Sequence, residues 1–415
     1  MSIKSVTVIG AGAIGIVTAL MLRREGHQVT VIDRLPPGEG ASFGNAGSLA
    51  PSSIVPIALP GTIRQVPKWL RDPLGPLTLS WTQLPKMLPW FLHFNRACGE
   101  DRARRAATLL RAMNTPSIEG YAELLAEAGA SDLLRRQGML HVYRRETGFD
   151  GSAFGRELRR DNGCEFEIVD AERIHALAPG LSKEYRYGFF LPDNAHLAGP
   201  GNVVKALAAH LQRIGGVIEQ AEVTAIRGAG QGVTLEAGGR TRQADIVVLA
   251  AGHASGRFAA QVGTHVPLAP ERGYHIQIPG AEPGLHCPVT DGEGRFVATP
   301  MAGGLRFAGT SEFQAAGAPP NWERAEILAK QARSMFPGLE VKDYSRWMGV
   351  RPSTPDSAPV IGRSPRHPGV LFAFGHGHWG LMAAPATGHI ISDLVAGRTP
   401  KIDPAPFSAE RFGWF

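Results

Sequence analysis

Three glycines near the start of the chain, Gly10, Gly12 and Gly15, have the G-x-G-x-x-G spacing of a phosphate-binding turn. They follow the β-branched run 6–9, which predicts a strand, and precede the apolar stretch 16–24, which predicts a helix. The first glycine permits a sharp turn, the second lets a pyrophosphate approach the backbone, and the third lets the helix pack on the strand. The positive end of the helix dipole then faces the phosphates.

An acidic side chain follows at the distance that a dinucleotide site requires. Asp33 ends the second predicted strand, 28–33, and lies eighteen residues after Gly15. Its carboxylate is expected to accept hydrogen bonds from the ribose hydroxyls of adenosine and to repel a 2′-phosphate. The glycines argue against a signal peptide or membrane span at 6–22, which hydropathy alone would allow. The residues predicted to bind the dinucleotide here are Gly10, Gly12, Ala13, Ile14, Gly15 and Asp33.

The segment after the acid, 34–53, is rich in glycine, serine and proline and has no helical or strand periodicity. A loop of this length inside a compact domain is usually functional. Small side chains and backbone amides there would wrap a second phosphate and approach a flat ring, although a surface linker is the alternative. The residues predicted to do so are Ser42, Gly44, Asn45, Ala46 and Gly47.

Two histidines one residue apart, His376 and His378, stand in the glycine-rich stretch 372–388 near the end of the chain. An H-x-H pair can bind a metal, but no convincing third ligand is near it in sequence, so we predict no metal. The alternative, which we favour, is a glycine-lined wall against a flat cofactor, followed by a helix from about Leu381. His378 is then expected near the ring or the substrate, and His376 to be structural.

Composition limits the class of protein. The 415 residues suffice for two domains or one large discontinuous unit, and the net charge is +6. The arginines between 96 and 111 predict the solvated face of a helix, because no nucleic-acid motif accompanies them; weak attraction to an acidic membrane surface is the alternative. The three cysteines are far apart, which fits a reducing compartment. We therefore expect a cytoplasmic protein, in solution or with peripheral contact at the inner face of the cell membrane.

The motifs resemble those of a known family. GAGAIG at 10–15, Asp33-Arg34 and SFGNAG at 42–47 are similar to the FAD-binding start of the D-amino-acid oxidase superfamily, especially its bacterial D-amino-acid dehydrogenase branch. The resemblance covers nearly the whole chain and is weakest at 56–195. Its further motifs, in the order of the family, stand at 244–252, 272–279, 347–362 and 372–388.

The resemblance implies non-covalent FAD and the oxidation of a small amino acid, with the D-enantiomer preferred. Hydride would pass from Cα to flavin N5, and the imine would hydrolyse to a 2-keto acid and ammonia; oxygen, a quinone or another acceptor would take the electrons. The alternatives are a D-hydroxyproline dehydrogenase, a glycine- or sarcosine-type oxidase and, more remotely, an NAD(P)H-dependent flavin hydroxylase or an electron-transfer subunit.

The resemblance also assigns roles to individual residues. Arg351 would bind the substrate carboxylate, for which a guanidinium offers a two-pronged match; an ion pair with Asp356 is the alternative. Tyr274 would donate its hydroxyl to the same carboxylate, and His275 would lie over the flavin or be an ordinary strand residue. Arg306 and Glu312 are either site residues or a surface pair. The further cofactor contacts that we expect are Arg34, Val223, Ala251, Gly252, Gly377, Gly380 and Leu381, the last two as donors at a helix N-terminus.

The predicted fold is α/β, with a Rossmann-like FAD-binding domain that is discontinuous in sequence. A substrate domain with a mainly antiparallel sheet and flanking helices completes it. We assign 1–55, 199–263 and 347–415 to the FAD-binding domain, and 56–198 and 264–346 to the substrate domain. The proline-broken apolar segment 69–94 is predicted to be core, with an exposed patch that contacts a membrane or electron acceptor as the alternative.

Overall fold

The computed structural model describes residues 3–64, 77–79, 84–229 and 232–413. Its helices are α1 (Ala13–Arg24), α2 (Leu84–Ala97), α3 (Glu100–Asn114), α4 (Ser117–Ala128), α5 (Glu146–Asp150), α6 (Ala153–Asp161), α7 (Ala171–Leu177), α8 (Pro200–Arg213), α9 (Ser255–Gln261), α10 (Glu323–Met335) and α11 (Gly380–Ala396).

The strands are β1 (Ser5–Ile9), β2 (Gln28–Asp33), β3 (Ser48–Leu49), β4 (Leu77–Leu79), β5 (Leu134–Arg135), β6 (Met139–Tyr143), β7 (Glu167–Val169), β8 (Tyr187–Leu191), β9 (Ala195–Leu197), β10 (Val217–Gln220), β11 (Val223–Ala229), β12 (Gly232–Ala237), β13 (Arg240–Ala244), β14 (Ile246–Leu249), β15 (Ala269–Pro279), β16 (Val289–Asp291), β17 (Phe296–Met301), β18 (Gly304–Phe313), β19 (Ser345–Ser353), β20 (Val360–Arg363) and β21 (Val370–Phe374).

The first sheet carries the predicted dinucleotide unit. Its strand order is β10-β2-β1-β14-β21-β20, and every neighbouring pair is parallel except β21 with β20. All four residues of β14 and all five of β21 are buried, as expected for strands covered on both faces. Because parallel strands share an orientation, the glycine turn after β1, Asp33 at the end of β2 and Gly252 after β14 meet at one edge of the sheet. The predicted mixed α/β fold is confirmed.

Helices α1 and α11 pack together against this sheet. A Cβ added at Gly388 of α11 would lie 3.1 Å from Cγ of Met21 on α1, so the glycine allows the two helices to approach closely. Helices α3 and α4 share the same core cluster through Leu110 and Tyr121. The range 56–198, which we assign to the substrate domain from sequence, contains these two helices, and their buried side chains share the core cluster with α1 and α11. Periodicity alone does not reveal which neighbour an apolar face packs on.

The second large sheet has the order β19-β15-β18-β17-β16-β6-β8-β7, with β4 paired to the end of β18. Most of its pairs are antiparallel, and one face packs on α10 through a core that includes Phe307 and Leu328. The boundary that we predicted at 347 falls inside β19, which pairs with β15 of this sheet along its whole length. The segment 345–353 therefore belongs structurally with the second sheet, whereas the division into two domains stays a prediction.

Residues 217–229 form two strands that belong to different sheets. Strand β10 joins the first sheet, and β11 forms a separate antiparallel sheet with β12 and β13. In the apolar segment 69–94, Trp90 and Phe94 are buried with Phe313, while Leu88 and Leu92 are exposed; 69–76 and 80–83 lie outside the described residues. In the described part of the chain, no helix is both long and apolar enough to cross a membrane.

Candidate active site

The glycine turn between β1 and α1 is shaped by close backbone approach. A Cβ at Gly10 would lie 2.3 Å from the carbonyl oxygen of Ala250, and Gly10 has a φ of +115°, which favours glycine. A Cβ at Gly15 would lie 1.8 Å from the carbonyl oxygen of Gly10. At Gly12 a Cβ would meet only the Ser42 hydroxyl, at 3.3 Å, and this residue borders a large cavity. Two glycines thus hold the turn together, and the third leaves room for a ligand.

Asp33 lies at the end of β2 beside this turn, and its carboxylate is held in place by two backbone amides. The amides of Ala11 and Leu35 donate to Asp33 at 2.7 and 2.9 Å. The side chain is half-buried and borders the cavity, as does Arg34. A carboxylate has further lone pairs to offer, so Asp33 can still accept hydrogen bonds from a ribose.

Hydrogen bonds attach the loop after β2 to the start of α1 and to the second sheet. The Ser42 hydroxyl accepts from the amide of Ala13 at 3.0 Å, in the first turn of α1. His275 on β15 contacts the carbonyl oxygen of Gly44 through Nδ1 at 3.0 Å and stacks on Trp347. Burial lowers the pKa of His275 to about 3, so the ring is neutral and its Nδ1–H donates. His275 therefore supports the loop and does not itself border the cavity.

Arg306 on β18 is the second anchor of this loop. It is buried, and its Nη1 donates to the carbonyl oxygens of Phe43 and Asn45 at 3.1 and 2.6 Å. The other guanidinium nitrogens donate to Gln277. Burial lowers the pKa of Arg306 to about 10, so the group remains charged at neutral pH. Our alternative of a surface pair with Glu312 is wrong, because the two side chains leave β18 on opposite faces: Gln277 is paired with Arg306, and Arg272 with Glu312.

The glycine-rich stretch before α11 forms the opposite wall. Gly375 and Gly377 have φ of +78° and +51°, and α11 begins at Gly380. The first amides of a helix have no intrahelical acceptor, so those of Gly380 and Leu381 are donors beside the cavity. The indole of Trp379 donates a hydrogen bond to the carbonyl oxygen of Ser53 at 2.7 Å, which attaches this wall to the segment after β3.

The two histidines of this wall make separate contacts. His376 is buried, and its Nε2 lies 2.9 Å from the hydroxyl of Thr387 on α11. Burial lowers the pKa of His376 to about 3. His378 is more exposed, and its Nε2 lies 2.8 Å from Glu271 on β15. Within the described ranges, no three His, Cys, Asp or Glu side chains are grouped as metal ligands would be.

Arg351 reaches the cavity from β19. Its Nη1 donates to Glu271 and to the carbonyl oxygen of Thr310, both at 3.2 Å. A Cβ at Gly273 would lie 2.1 Å from Nη2, so the guanidinium lies directly on this glycine. Asp356, the alternative partner that we considered, is bound instead by Arg411 at 2.7 Å.

Glu271 is a site residue that sequence reasoning missed. Its carboxylate is 2 % exposed and accepts hydrogen bonds from the hydroxyls of Ser311 and Ser353 as well as from His378 and Arg351. Burial acts to raise the pKa of Glu271, but the charge and hydrogen bond of His378 and the charge of Arg351 outweigh it and hold the pKa far below its usual range. The only sequence signal was the two-residue alternation that places 271 and 273 on one face of β15.

Tyr274 does not match the predicted contact. The same alternation turns its side chain to the other face of β15, where its hydroxyl donates to Glu312 at 2.6 Å and accepts from the amide of Asn321 at 3.0 Å. Burial, together with the bond to Glu312, raises the pKa of Tyr274. Glu312 also pairs with Arg272 at 3.2 Å, so these three residues form a buried cluster behind the sheet. The Tyr274 hydroxyl is therefore not available to a substrate carboxylate.

The cavity has a volume of about 1300 Å³ and extends from the glycine turn to Arg351. It exceeds the roughly 300–1,000 Å³ of an ordinary small-molecule site and suits an extended dinucleotide with a small substrate beside it. Its wall contains no cysteine from the described part of the chain. The predicted residues that border it are Gly12, Ile14, Asp33, Arg34, Ser42, Gly44, Asn45, Ala46, Ala251, Gly252, Arg351, Gly377, His378, Gly380 and Leu381. Tyr274 also borders it, although its hydroxyl is bound to Glu312 on the other face of β15.

The other predicted cofactor residues lie behind this wall. Gly10, Gly15 and Ala13 shape the turn or hold the loop, and a Cβ at Gly47 would lie 2.5 Å from the carbonyl oxygen of Leu197. Val223 begins β11, where its carbonyl accepts from Arg257 at 3.0 Å. The structure thus does not bring Val223 to the cavity, because its strand pairs within the separate small sheet.

Known proteins with similar sequences point to one family. The family model for FAD-dependent oxidoreductases (DAO) matches residues 5–394. A D-amino-acid oxidase of Bradyrhizobium diazoefficiens is 37 % identical over 419 residues, with 99 % of both chains covered. D-amino acid dehydrogenase 2 of Ralstonia nicotianae is 32 % identical over 437 residues, covering 98 % of this chain and 100 % of that protein.

Solved structures share the fold at lower identity. Glycine oxidase from Geobacillus kaustophilus superposes with a TM-score of 0.78 at 22 % identity, and 99 % of each chain is covered. L-proline dehydrogenase from P. horikoshii superposes with a TM-score of 0.76 at 19 % identity, covering 100 % of this chain and 99 % of that one. At these identities the likeness establishes the fold and leaves the substrate to be argued from the site.

Proposed function

This chain belongs to the DAO family of FAD-dependent oxidoreductases, and from that premise we propose that it oxidises a small D-amino acid at the carbon that bears the amine. The D-enantiomer is supported by the names of the two relatives above, one an oxidase and one a dehydrogenase, both above 30 % identity over nearly the whole chain. The cavity supports amino-acid oxidation, because one wall can hold a dinucleotide while Arg351 borders the cavity at the other wall.

The residues of the cavity fit FAD from end to end. The open side of Gly12 and the N-terminus of α1 suit the pyrophosphate, and Asp33 suits the adenosine ribose. The loop held by Arg306 and the amides that begin α11 suit the flavin end. Bound there, FAD supplies the two-electron acceptor for the hydrogen leaving the substrate carbon. The described residues of the wall include no cysteine, which supports non-covalent binding.

Arg351 is the observation that carries the substrate proposal. Its Nη1 is occupied by Glu271 and Thr310, whereas Nε and Nη2 form no hydrogen bond to any described residue. The side chain is 23 % exposed and borders the cavity. These two nitrogens form the fork that matches a carboxylate with two parallel hydrogen bonds. Arg351 would thereby orient the substrate so that its Cα faces the cofactor.

The remaining residues position and shield the substrate. His378 and Glu271 fix the Arg351 side of the cavity, and Trp379 closes the wall on the side of Ser53. No general base is required if the substrate binds as its neutral amine. Oxidation then gives an imine, which adds water and yields a 2-keto acid and ammonia.

Anaerobic mixing of the flavoprotein with D- and L-amino acids, imino acids, glycine and sarcosine tests this proposal. We expect bleaching of the flavin absorbance by D-amino acids, without NADH, and turnover with a dye acceptor. Repeating the assay with oxygen alone distinguishes an oxidase from a dehydrogenase. Bleaching only by imino acids or by L-enantiomers would contradict the proposed substrate, and bleaching only by NADH would contradict the proposed reaction.

A further inference from the structure

One residue of β18 has a backbone conformation that its side chain disfavours. Thr310 has a φ of +61°, in the left-handed region that glycine adopts easily and a β-branched residue rarely adopts. The hydroxyl of Thr310 is buried and has no hydrogen-bond partner in the described part of the chain, so it does not offset the strain. The other described non-glycine residues with a positive φ all lie outside the strands, and they are Arg295, Asp343 and Ser357.

An extra residue in β18 accounts for this conformation. Thr310 and Ser311 together oppose the single residue Gly273 of β15. The pairs on either side are Arg272 with Glu312 and Tyr274 with Gly309. The irregularity is a β-bulge whose first residue is left-handed, a position that glycine usually occupies. A bulge leaves its extra residue unpaired in the ladder, and bulges next to active sites redirect individual groups.

Both residues of the bulge contact the ion pair at the substrate end of the cavity. The carbonyl oxygen of Thr310 accepts a hydrogen bond from Nη1 of Arg351 at 3.2 Å. The hydroxyl of Ser311 donates to Glu271, which is the other acceptor of the same Nη1. The guanidinium of Arg351 lies on Gly273, because a Cβ there would be 2.1 Å from Nη2. The bulge therefore lies opposite the residue beneath the guanidinium, and both bulge residues border the cavity.

We propose that the bulge of Thr310 and Ser311 is a positioning element for the substrate carboxylate. It holds Nη1 of Arg351, so that Nε and Nη2 stay free for the ligand. A regular ladder would use the carbonyl oxygen between the strands and leave Nη1 with Glu271 alone. A guanidinium that is already held loses less rotational freedom when a carboxylate binds. The assignment rests on the proposed function for the role of Arg351, and it adds the residues that hold this arginine.

Deletion of Thr310 removes the bulge and keeps the rest of the ladder. Ser311 alone would then oppose Gly273, so the pairs on both sides keep their register and Ser311 still faces the cavity. In the holoenzyme we expect the dissociation constant of butyrate, an unreactive carboxylate followed by flavin difference spectra, to rise by about ten-fold or more. The kcat/KM for D-amino acids should fall by a similar factor. Thr310→Gly, which restores the residue without its side chain, should recover most of this loss.

A double-mutant cycle with Arg351→Met shows whether the bulge acts through the guanidinium. Deletion of Thr310 should lower kcat/KM by about ten-fold in the wild-type chain, and by less than about two-fold in the Arg351→Met chain. An equal loss in both chains would overturn the proposal, and so would an unchanged butyrate affinity after the deletion. The affinity for FAD should stay the same. A parallel loss of FAD affinity would show a general disturbance of the cavity and contradict a positioning role.

A stability comparison tests the bulge even if the deletion does not fold. Thr299 on β17 is the matched control, because its buried hydroxyl also has no partner among the described residues, whereas its φ is not positive and it does not border the cavity. Thr299→Gly should lower the thermal midpoint, and Thr310→Gly should leave it unchanged or raise it. An equal decrease in both variants would show that residue 310 is not left-handed and would overturn the proposal.

Ser311→Ala then takes the place of the deletion in the cycle, because it keeps the backbone and removes only the hydroxyl that is bonded to Glu271. Its expected loss in kcat/KM is about three- to ten-fold, again only while Arg351 is present.

The outcomes separate this inference from the proposed function. If Arg351→Met lowers kcat/KM while neither the deletion of Thr310 nor Ser311→Ala does, the proposed function stands and the positioning role of the bulge is overturned. If no amino acid bleaches the flavin, the proposed function fails. A butyrate affinity that still depends on Thr310 through Arg351 would in that case support the bulge as a positioning element for a carboxylate.

Discussion

The carboxylate of Glu271 lies 2.8 Å from Nε2 of His378, although 107 residues separate them in sequence. Glu271 comes from β15 and is buried, whereas His378 comes from the glycine-rich wall and is 38 % exposed. Their contact joins the second sheet to the wall in front of α11. Because Arg351 also donates to Glu271, one carboxylate orients both side chains that face the substrate end of the cavity.

Replacing Glu271 by glutamine should lower activity without removing the cofactor. The amide keeps the volume but loses the charge, so Arg351 and His378 lose the anion that orients them. We expect kcat/KM for D-amino acids to fall by about 10- to 100-fold. Glu326→Gln is the control, since Glu326 pairs with Arg346 at the surface. Equal kcat/KM values for the Glu271 and Glu326 variants would show that Glu271 does not position Arg351 and His378.

The same substitution has a defined pH dependence. The folded-state pKa of Glu271 lies below its unfolded value of about 4.3, so its stabilising contribution is fully present above that pH and is lost as the pH falls through the folded value. The difference in thermal midpoint between wild type and Glu271→Gln should be present at about pH 5.5 and should shrink below about pH 4. If the difference in thermal midpoint instead vanished between pH 8 and 6, the titration of a group other than Glu271 would be responsible for it.

Loss of the Arg351 guanidinium should impair substrate binding directly. Arg351→Met removes both free nitrogens of the fork, and we expect kcat/KM to fall about 100-fold or more while FAD stays bound. Arg351→Lys keeps the charge without the fork and should recover only part of the loss. Arg346→Met, on the same strand but at the surface, is the matched control. Unchanged turnover of every amino acid by Arg351→Met would exclude Arg351 as the carboxylate-binding residue.

The sequence predicted the cofactor side of this protein better than its substrate side. Gly10, Gly12, Gly15 and Asp33 act within one short segment, so their spacing alone indicates the turn and its ligand. Glu271 and Thr310 reach the cavity through long-range pairing and packing, for which a single sequence gives no register. Tyr274 was misplaced for the same reason. Adjacent residues of a strand face opposite sides of the sheet. An error of one residue in the predicted register therefore places a side chain on the wrong face.

Arg306 should matter for FAD binding more than for catalysis. Its guanidinium donates to the carbonyl oxygens of Phe43 and Asn45 and so holds the loop that borders the cavity. Because Arg306→Met removes these hydrogen bonds, it should raise the dissociation constant of FAD by about 10- to 100-fold. Flavin fluorescence during titration of the apoprotein measures this. Arg227→Met, at an exposed position of β11, is the control. With saturating FAD, the Arg306 variant should regain most of its turnover; a low rate at full occupancy would place Arg306 in the reaction instead.

Alanine substitutions at two glycines of the first turn should have different effects, one on folding and the other on FAD binding. A Cβ at Gly15 would lie 1.8 Å from the backbone oxygen of Gly10, so Gly15→Ala should lower the thermal midpoint of the apoprotein, at a cost of about 1–3 kcal/mol or more. A Cβ at Gly12 meets only the rotatable Ser42 hydroxyl, at 3.3 Å, and otherwise points toward the cavity. Gly12→Ala should therefore fold with a nearly normal midpoint and yet bind FAD weakly.

Gly99→Ala, at a position where a Cβ meets nothing within 4 Å, supplies the reference for both measurements. Thermal unfolding of each apoprotein, followed by titration with FAD, gives the two quantities for all three variants. If Gly12→Ala bound FAD as tightly as Gly99→Ala, the pyrophosphate could not lie against Gly12. The dinucleotide would then have to enter the cavity by another wall, because the remaining two glycines face protein backbone and leave no space for it.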